Sequence, residues 1–241
     1  MSYEDQAATW IGWARDPRDA YWFFRDAFFA LVPPPPLLTL DVGCGEGRVT
    51  RDLAARAYDV TGVDAAAALV DAARAEDPRR DYVVARAEEL PFGDGSFELV
   101  VAYNSLMDVD EMPHAVAEIG RVLRSGGTLC ACITHPMVDS GRWADAETFV
   151  IAERYLERRR YEGTFERPGL PPFTFRGWVY PLETYSRALE RAGFVLEVLR
   201  EPRAPDELVA SRRREARPQA VRWQRLPNFL MFRARKSRSE C

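Results

Sequence analysis

The stretch Leu37-Leu-Thr-Leu-Asp-Val-Gly-Cys-Gly-Glu-Gly-Arg48 decides the fold. Its apolar run, Leu37 to Val42, is short and bounded, as a buried strand is. Three glycines at alternate positions follow, Gly43, Gly45 and Gly47. Arg48 to Arg56 then reads as a helix, with Val49, Leu53 and Ala57 on one side. A strand, a glycine turn and a helix start together aim backbone N–H groups at a ligand. Glycine tolerates positive φ there and lets the ligand touch the main chain.

The spacing G-x-G-x-G differs from the dinucleotide fingerprint G-x-G-x-x-G and from the phosphate loop G-x-x-x-x-G-K-[ST]. Asp41 stands just before the glycines, where an anion-binding loop gains nothing from it and a cationic amino group would. The next strand, Tyr58-Asp-Val-Thr-Gly-Val-Asp64, ends in a second acid. In a doubly wound sheet an acid at that place accepts hydrogen bonds from ribose hydroxyls. A ribose joined to an amino-acid end describes S-adenosylmethionine.

Four segments in order, LDVGCGEGRVT, VTGVD, ARAEELPFGDGSFELVVAYNSL and EIGRVLRSGGTLCACITHP, resemble class I S-adenosylmethionine-dependent methyltransferases of the small-molecule type, similar to methyltransferase type 11 domains. The likeness spans roughly residues 10 to 200 and does not specify a substrate. It implies a Rossmann-like α/β fold, a doubly wound sheet, mostly parallel with an antiparallel last strand. The remainder of the chain is consistent with it. Beyond the first helix, helical and strand patterns alternate, with strands over Asp81 to Ala85, Phe97 to Tyr103 and Thr128 to Thr134 and helices over Ala65 to Ala75 and Pro113 to Leu123. Pro181 to Ala192 reads as a helix closed by Gly193. Phe194 to Leu199 and Phe229 to Arg235 read as the last two strands.

Two regions depart from this alternation. Residues 3 to 32 are helical and rich in aromatics, broken at Asp16-Pro17 and ended by Pro33 to Pro36. Residues 136 to 180 carry two extended segments, Glu153 to Tyr161 and Phe173 to Tyr180, around a Gly/Pro-rich turn at Gly163 to Pro172. The expected organisation is therefore a helical cap over 1–36, a core over 37–135 and 181–241, and an inserted substrate cap over 136–180. The charge run Arg158-Arg-Arg160 reads as a solvated face, and Glu201 to Arg225 as a Pro/Arg-rich excursion.

The 241 residues suffice for one α/β domain with a cap. A net charge of −4 gives no electrostatic case for binding nucleic acid. Cys44, Cys130, Cys132 and Cys241 form no C-x-x-C pair, and with His114 and His135 as the only histidines no metal site is expected. No signal-peptide pattern or long apolar run is present, which points to a cytoplasmic protein.

The resemblance assigns Asp41, Gly43, Gly45 and Gly47 to the methionine end of the cofactor, and Asp64 with Ala65 to the ribose. Ala87 and Glu88 fall in the adenine loop, and Asn104 falls near the methionine portion. Relatives often carry Asp where Arg86 stands, so Glu88 or backbone alone must accept from the adenine amino group. Tyr21 and Trp13, on the helix that lies over the cofactor in relatives, are candidates for cofactor and acceptor contact. An aromatic face near a sulfonium gains cation–π attraction. Tyr103, Phe149, Phe175 and Trp178 are further candidates for the acceptor wall. Three residues are candidates for catalysis. His135, just past the fifth strand, is a general-base candidate by its imidazole, or it merely shapes the exit into the cap. Asp108 binds or deprotonates an acceptor, or caps the turn before Pro113. The Tyr180 hydroxyl orients a substrate.

Methyl transfer from a sulfonium needs alignment and exclusion of water, and no metal. The expected function is in-line methyl transfer from S-adenosylmethionine, with S-adenosylhomocysteine as product, to a small aromatic or apolar acceptor at O, N or C. The alternatives are an RNA or protein methyltransferase docking through Arg-rich residues 212–225, and a non-catalytic cofactor-binding module. Oligomeric state is left open between monomer and homodimer.

Overall fold

The computed structural model describes residues 2–145, 147–151, 154–214 (backbone alone from 211) and 222–238. Two helices open the chain, α1 (Ala7–Arg15) and α2 (Ala20–Phe29). Asp19 starts α2 by accepting from the Tyr21 N–H, a side-chain N-cap placed just after the Pro17 break.

The core follows as β1 (Leu38–Val42), α3 (Arg48–Ala55), β2 (Asp59–Asp64), α4 (Ala67–Glu76), β3 (Asp81–Val84), β4 (Phe97–Tyr103), α5 (Met112–Val122) and β5 (Leu123–Thr134). After it come α6 (Pro136–Asp139) and two hairpins, β6 (Gly141–Trp143) with β7 (Phe149–Ile151) and β8 (Arg159–Arg167) with β9 (Leu170–Val179). The chain closes with α7 (Leu182–Arg191), β10 (Phe194–Arg200), α8 (Asp206–Arg214) and β11 (Phe229–Lys236).

Seven strands form one sheet in the order β10-β11-β5-β4-β1-β2-β3. β11 is antiparallel to both neighbours, and the pairs from β5 to β3 are parallel. β1 lies between β2 and β4, so strand order reverses there. Such a switch point opens a crevice at the C-terminal ends of the strands, where ligands bind in this architecture. Side chains alternate across the sheet. Leu40, Val42, Val100 and Ala102 pack with α5 and α7 on one face. Leu99, Val101, Val49, Leu53 and the aromatics of α2 pack on the other.

The β8–β9 hairpin differs from its expected form. Its strands run to Arg167 and from Leu170, so the turn contracts to Pro168-Gly169, with Gly169 at φ 81°. Pro171 and Pro172 are accommodated because a two-stranded ribbon has free edges that need no donor. The arginine run keeps Arg158 and Arg160 exposed, as a solvated face would, and adds contacts to it. Arg158 and Arg160 stack on Trp178 at 3.8 and 4.0 Å, and Arg159 donates to the Asp139 carbonyl.

This hairpin is fastened to the N-terminal helices. Trp13 Nε1 donates to the Pro171 carbonyl at 2.8 Å, and Gln6 bonds the backbone of Thr174 through both its amide atoms. Buried Arg167 donates to the Trp13 carbonyl, pairs with Asp19 at 3.3 Å and lies over the Trp13 ring at 4.2 Å. Breaking a buried ion pair from one side costs about 3 kcal/mol. Arg167→Leu is expected to lower stability by roughly that amount in urea unfolding. A change below about 1 kcal/mol would mean the hairpin does not depend on this fastening.

Candidate active site

The glycine loop is locked to β2. The N–H groups of Gly43 and Cys44 both donate to the Val63 carbonyl, at 2.8 and 3.0 Å. Gly43 is at φ 74°, and a Cβ there would stand 2.3 Å from that of Ser105. This close approach brings the loop after β4 against the loop after β1. Asp64 extends the link: its Oδ2 accepts from Gly45 N–H at 2.8 Å and its Oδ1 from Ala66 N–H at 2.9 Å. Burial raises the Asp64 pKa, and those two N–H groups oppose the rise.

Above these loops lies a cavity of about 770 Å³. At one end it is lined by Gly43, Gly45, Asp64, Ala65, Ala87, Glu88 and Asn104. Leu69 and Ala85 add apolar wall there. Asn104 stands at φ 51°, its N–H donating to the Cys132 carbonyl. The Glu88 carboxylate is paired with Arg86 Nη2 at 2.8 Å. The other end is walled by Trp10, Trp13, Tyr21, Tyr103, Phe175 and Trp178, with Asp108 between them.

Asp108 ends a single 3-10 turn, Leu106–Asp108. Gly177 of the β8–β9 hairpin sits so close that a Cβ would lie 2.7 Å from its Oδ1. Burial pushes the Asp108 pKa up to about 7; hydrogen bonding from the Tyr3 hydroxyl lowers it, and the charges of Asp64 and Asp139 raise it.

Several expected residues stand elsewhere. Asp41 does not line the cavity: strand alternation turns it to the opposite face from Leu40 and Val42, where it accepts from Thr50 Oγ1 at 2.7 Å. Burial raises its pKa to about 7, so it braces α3 from below. Gly47 is likewise outside the wall. It is the left-handed N-cap of α3, and a Cβ there would meet the Tyr82 hydroxyl at 2.8 Å. His135 is buried off the cavity, with Nε2 2.8 Å from Glu201 and its N–H on the Asn228 carbonyl. The same alternation turns the preceding Thr134 into the cavity. The Tyr180 hydroxyl donates to the carbonyls of Val109 and Asp110, at 3.0 and 2.8 Å, and so anchors the segment that follows Asp108. Phe149 stacks on Trp143 in the β6–β7 hairpin, away from the wall. Tyr21 does line the cavity, but its ring faces the Arg48 guanidinium at 4.6 Å and its hydroxyl donates to Asp52. Its cation–π partner is therefore an arginine of this chain.

Arg48, Tyr3, Trp10, Thr134 and Asp139 line the cavity without having been singled out from the sequence. Arg48 opens α3 directly after the glycines, and that position was the available signal. Its Nη1 bonds Asp19 at 2.9 Å and the Ala14 carbonyl at 3.2 Å. Asp139 follows Pro136 by less than one helical turn, and only the fold of α6 swings it inward. Among the described residues there is no group of three metal-ligating side chains, and no helix long and apolar enough to cross a membrane.

Residues 40–131 match the model of a methyltransferase domain. A crystal structure of an S-adenosylmethionine-dependent methyltransferase from Mesorhizobium loti superposes with a TM-score of 0.71 at 26% identity, covering 90% of this chain and 98% of that one. The O-methyltransferase cnsE of Penicillium expansum is 38% identical over 127 residues, 48% of this chain and 46% of that protein. A malonyl-[acyl-carrier protein] O-methyltransferase of Enterobacter lignolyticus is 33% identical over 105 residues, 43% of this chain and 42% of that protein. The chain spans half or less of the length of such curated relatives. These matches show a methyltransferase domain over residues 40–131 in a chain similar throughout its fold to S-adenosylmethionine-dependent methyltransferases.

Proposed function

We propose that the chain transfers a methyl group from S-adenosylmethionine to a small acceptor held beneath α1 and the β8–β9 hairpin. The observation that carries this reading is one continuous cavity, running from the glycine loop and Asp64 to Asp108 under an aromatic roof. The wall fits the cofactor, with an unbranched backbone edge at Gly43 and Gly45, a carboxylate at the end of β2 and an apolar slot beside Leu69 and Ala87.

Each residue then has a role. Asp64 takes the ribose hydroxyls, and Glu88, steadied by Arg86, faces the adenine edge. Arg48 offers its guanidinium to the carboxylate of the methionine end. When bound, the cofactor supplies a methyl group already activated on a cationic sulfur. The aromatic wall excludes water and aligns the acceptor. Asp108 removes the acceptor's proton, because a base near its operating pH is poised for that transfer. The cap reading of 1–36 and 136–180 follows from this assignment.

Titration with S-adenosylhomocysteine tests the reading, with a micromolar Kd expected, about −8 kcal/mol. A folded protein that takes up none would remove its basis.

Two consequences concern Asp108. The base acts in its ionised form, so kcat/KM for an acceptor that must lose a proton rises about tenfold per pH unit below about 7 and levels above. A flat profile between pH 5 and 8 would remove Asp108 from the proton path. Asp108→Asn is expected to lower kcat about 10²- to 10⁴-fold, with S-adenosylhomocysteine affinity unchanged.

For docking through residues 212–225, the side chains of 211–214 and all of 215–221 lie outside the described residues. Trp223, in the described part, lines the cavity, which favours the small acceptor.

A further inference from the structure

The acceptor end of the cavity includes the carboxylates of Asp108 and Asp139, with Asp110 beside them. Glu4 on the same wall accepts from the Ala68 N–H, and Asp110 pairs with Arg160. Asp19 has Arg48 and Arg167, Glu88 has Arg86, and Glu46 has Arg51. Asp64 has two backbone N–H donors. Asp108 and Asp139 are different. Neither bonds an arginine side chain among the described residues.

Among the described residues, the buried Tyr185 lies within electrostatic reach of both carboxylates. Asp108 meets the Tyr3 hydroxyl, the Asp64 charge and the backbone of Gly177. Asp139 accepts from Thr134 Oγ1 at 2.5 Å and lies near His135, Tyr161 and Arg159. Arg159, however, directs its Nη2 to the Asp139 main-chain carbonyl. The two remaining arginines of the wall are engaged elsewhere, Arg176 with Glu162 and Arg167 with Asp16 and Asp19. The Asp139 charge acts on Asp108, and burial raises both pKa values. A cation brought between them would relieve both effects. The rest of the wall suits the same guest, since Tyr3, Tyr161 and Phe175 add aromatic surface to it. An anionic acceptor would meet two like charges in a desolvated site.

We infer that the acceptor is a small, largely apolar amine that enters as its ammonium form and is held between Asp108 and Asp139. The inference rests on the methyl-transfer reading and supplies its substrate class. In the reaction Asp108 takes one N–H proton and becomes a neutral acid. The freed nitrogen lone pair then forms the C–N bond as the methyl–sulfur bond breaks, and the sulfur keeps that bonding pair. The product leaves as the methylated ammonium with S-adenosylhomocysteine. Asp139 is a binding and positioning residue.

The test is calorimetry on protein saturated with S-adenosylhomocysteine, titrated with phenethylamine, its uncharged counterpart phenethyl alcohol, and phenylacetate. Wild type should bind the amine at least tenfold more tightly than the alcohol, and phenylacetate weakest. Asp139→Asn should lose at least tenfold on the amine, nothing on the alcohol, and nothing on S-adenosylhomocysteine itself. Equal affinity for amine and alcohol overturns the inference, and so does equal absence of binding. A preference for phenylacetate, or an amine preference that survives in Asp139→Asn, overturns it equally. Failure of S-adenosylhomocysteine to bind folded wild type is a different result, and it strikes the methyl-transfer reading instead.

Discussion

Asp64→Ala is expected to weaken S-adenosylhomocysteine binding by about 100-fold, ~2.7 kcal/mol. One carboxylate does two jobs at this position. Its oxygens hold the Gly45 and Ala66 N–H groups, tying the glycine loop to the start of α4, and its edge faces the cavity where the ribose would lie. Alanine leaves two N–H donors without their partner and removes the ribose acceptor. An unsatisfied buried donor costs about 1–3 kcal/mol. Asp64→Asn keeps one acceptor oxygen and should fall between. Calorimetry on folded variants, checked by circular dichroism, reads both numbers. Affinity within about threefold of wild type for Asp64→Ala would mean that Asp64 is a loop brace with no share in the ligand.

Gly43→Ala should be the most damaging single-methyl change in the chain, and Ser105→Gly should repair part of it. Two separate penalties meet at Gly43. Its φ of 74° is left-handed, which costs an L-residue about 1–2 kcal/mol. A new Cβ would also stand 2.3 Å from Ser105 Cβ, and forcing extra volume into a packed site costs about 1–3 kcal/mol more. Ser105→Gly removes the obstructing atom but sacrifices the Oγ bond to the Val42 carbonyl, about 1 kcal/mol. The double variant should therefore be more stable than the two single effects predict, with a coupling of about 1–2 kcal/mol. Urea unfolding of the four proteins measures it. Strict additivity would show that the loop yields freely and that only the backbone angle matters.

Sequence and structure agree where local patterning is strong. The seven-stranded sheet, the break at Pro17, and the loops around Gly43, Asp64, Ala87 and Asn104 were legible because each depends on neighbours within one strand–turn–helix unit. The acceptor end was less legible. Asp41 and His135 sit on strands or strand ends beside residues that do face the cavity, and the parity that separates them is set by packing against α3 and by the Asn228 carbonyl. Tyr180 looked like a substrate contact because nothing in its neighbourhood shows that its hydroxyl meets the carbonyls of Val109 and Asp110, some seventy positions away.

The sequence by itself determined the α/β class, the seven core strands, and the place of the glycine loop with the acid that ends β2. Those follow from periodicity and from glycine's access to positive φ, which are properties of a few consecutive residues. Only the tertiary structure decided what covers the crevice. The contact of Trp13 with Pro171, the insertion of Arg167 beneath α1, and the placing of Asp108 and Asp139 in one cavity join segments far apart in the chain. Each is settled by which buried polar groups find partners once the sheet has closed, and short-range patterns carry no record of that.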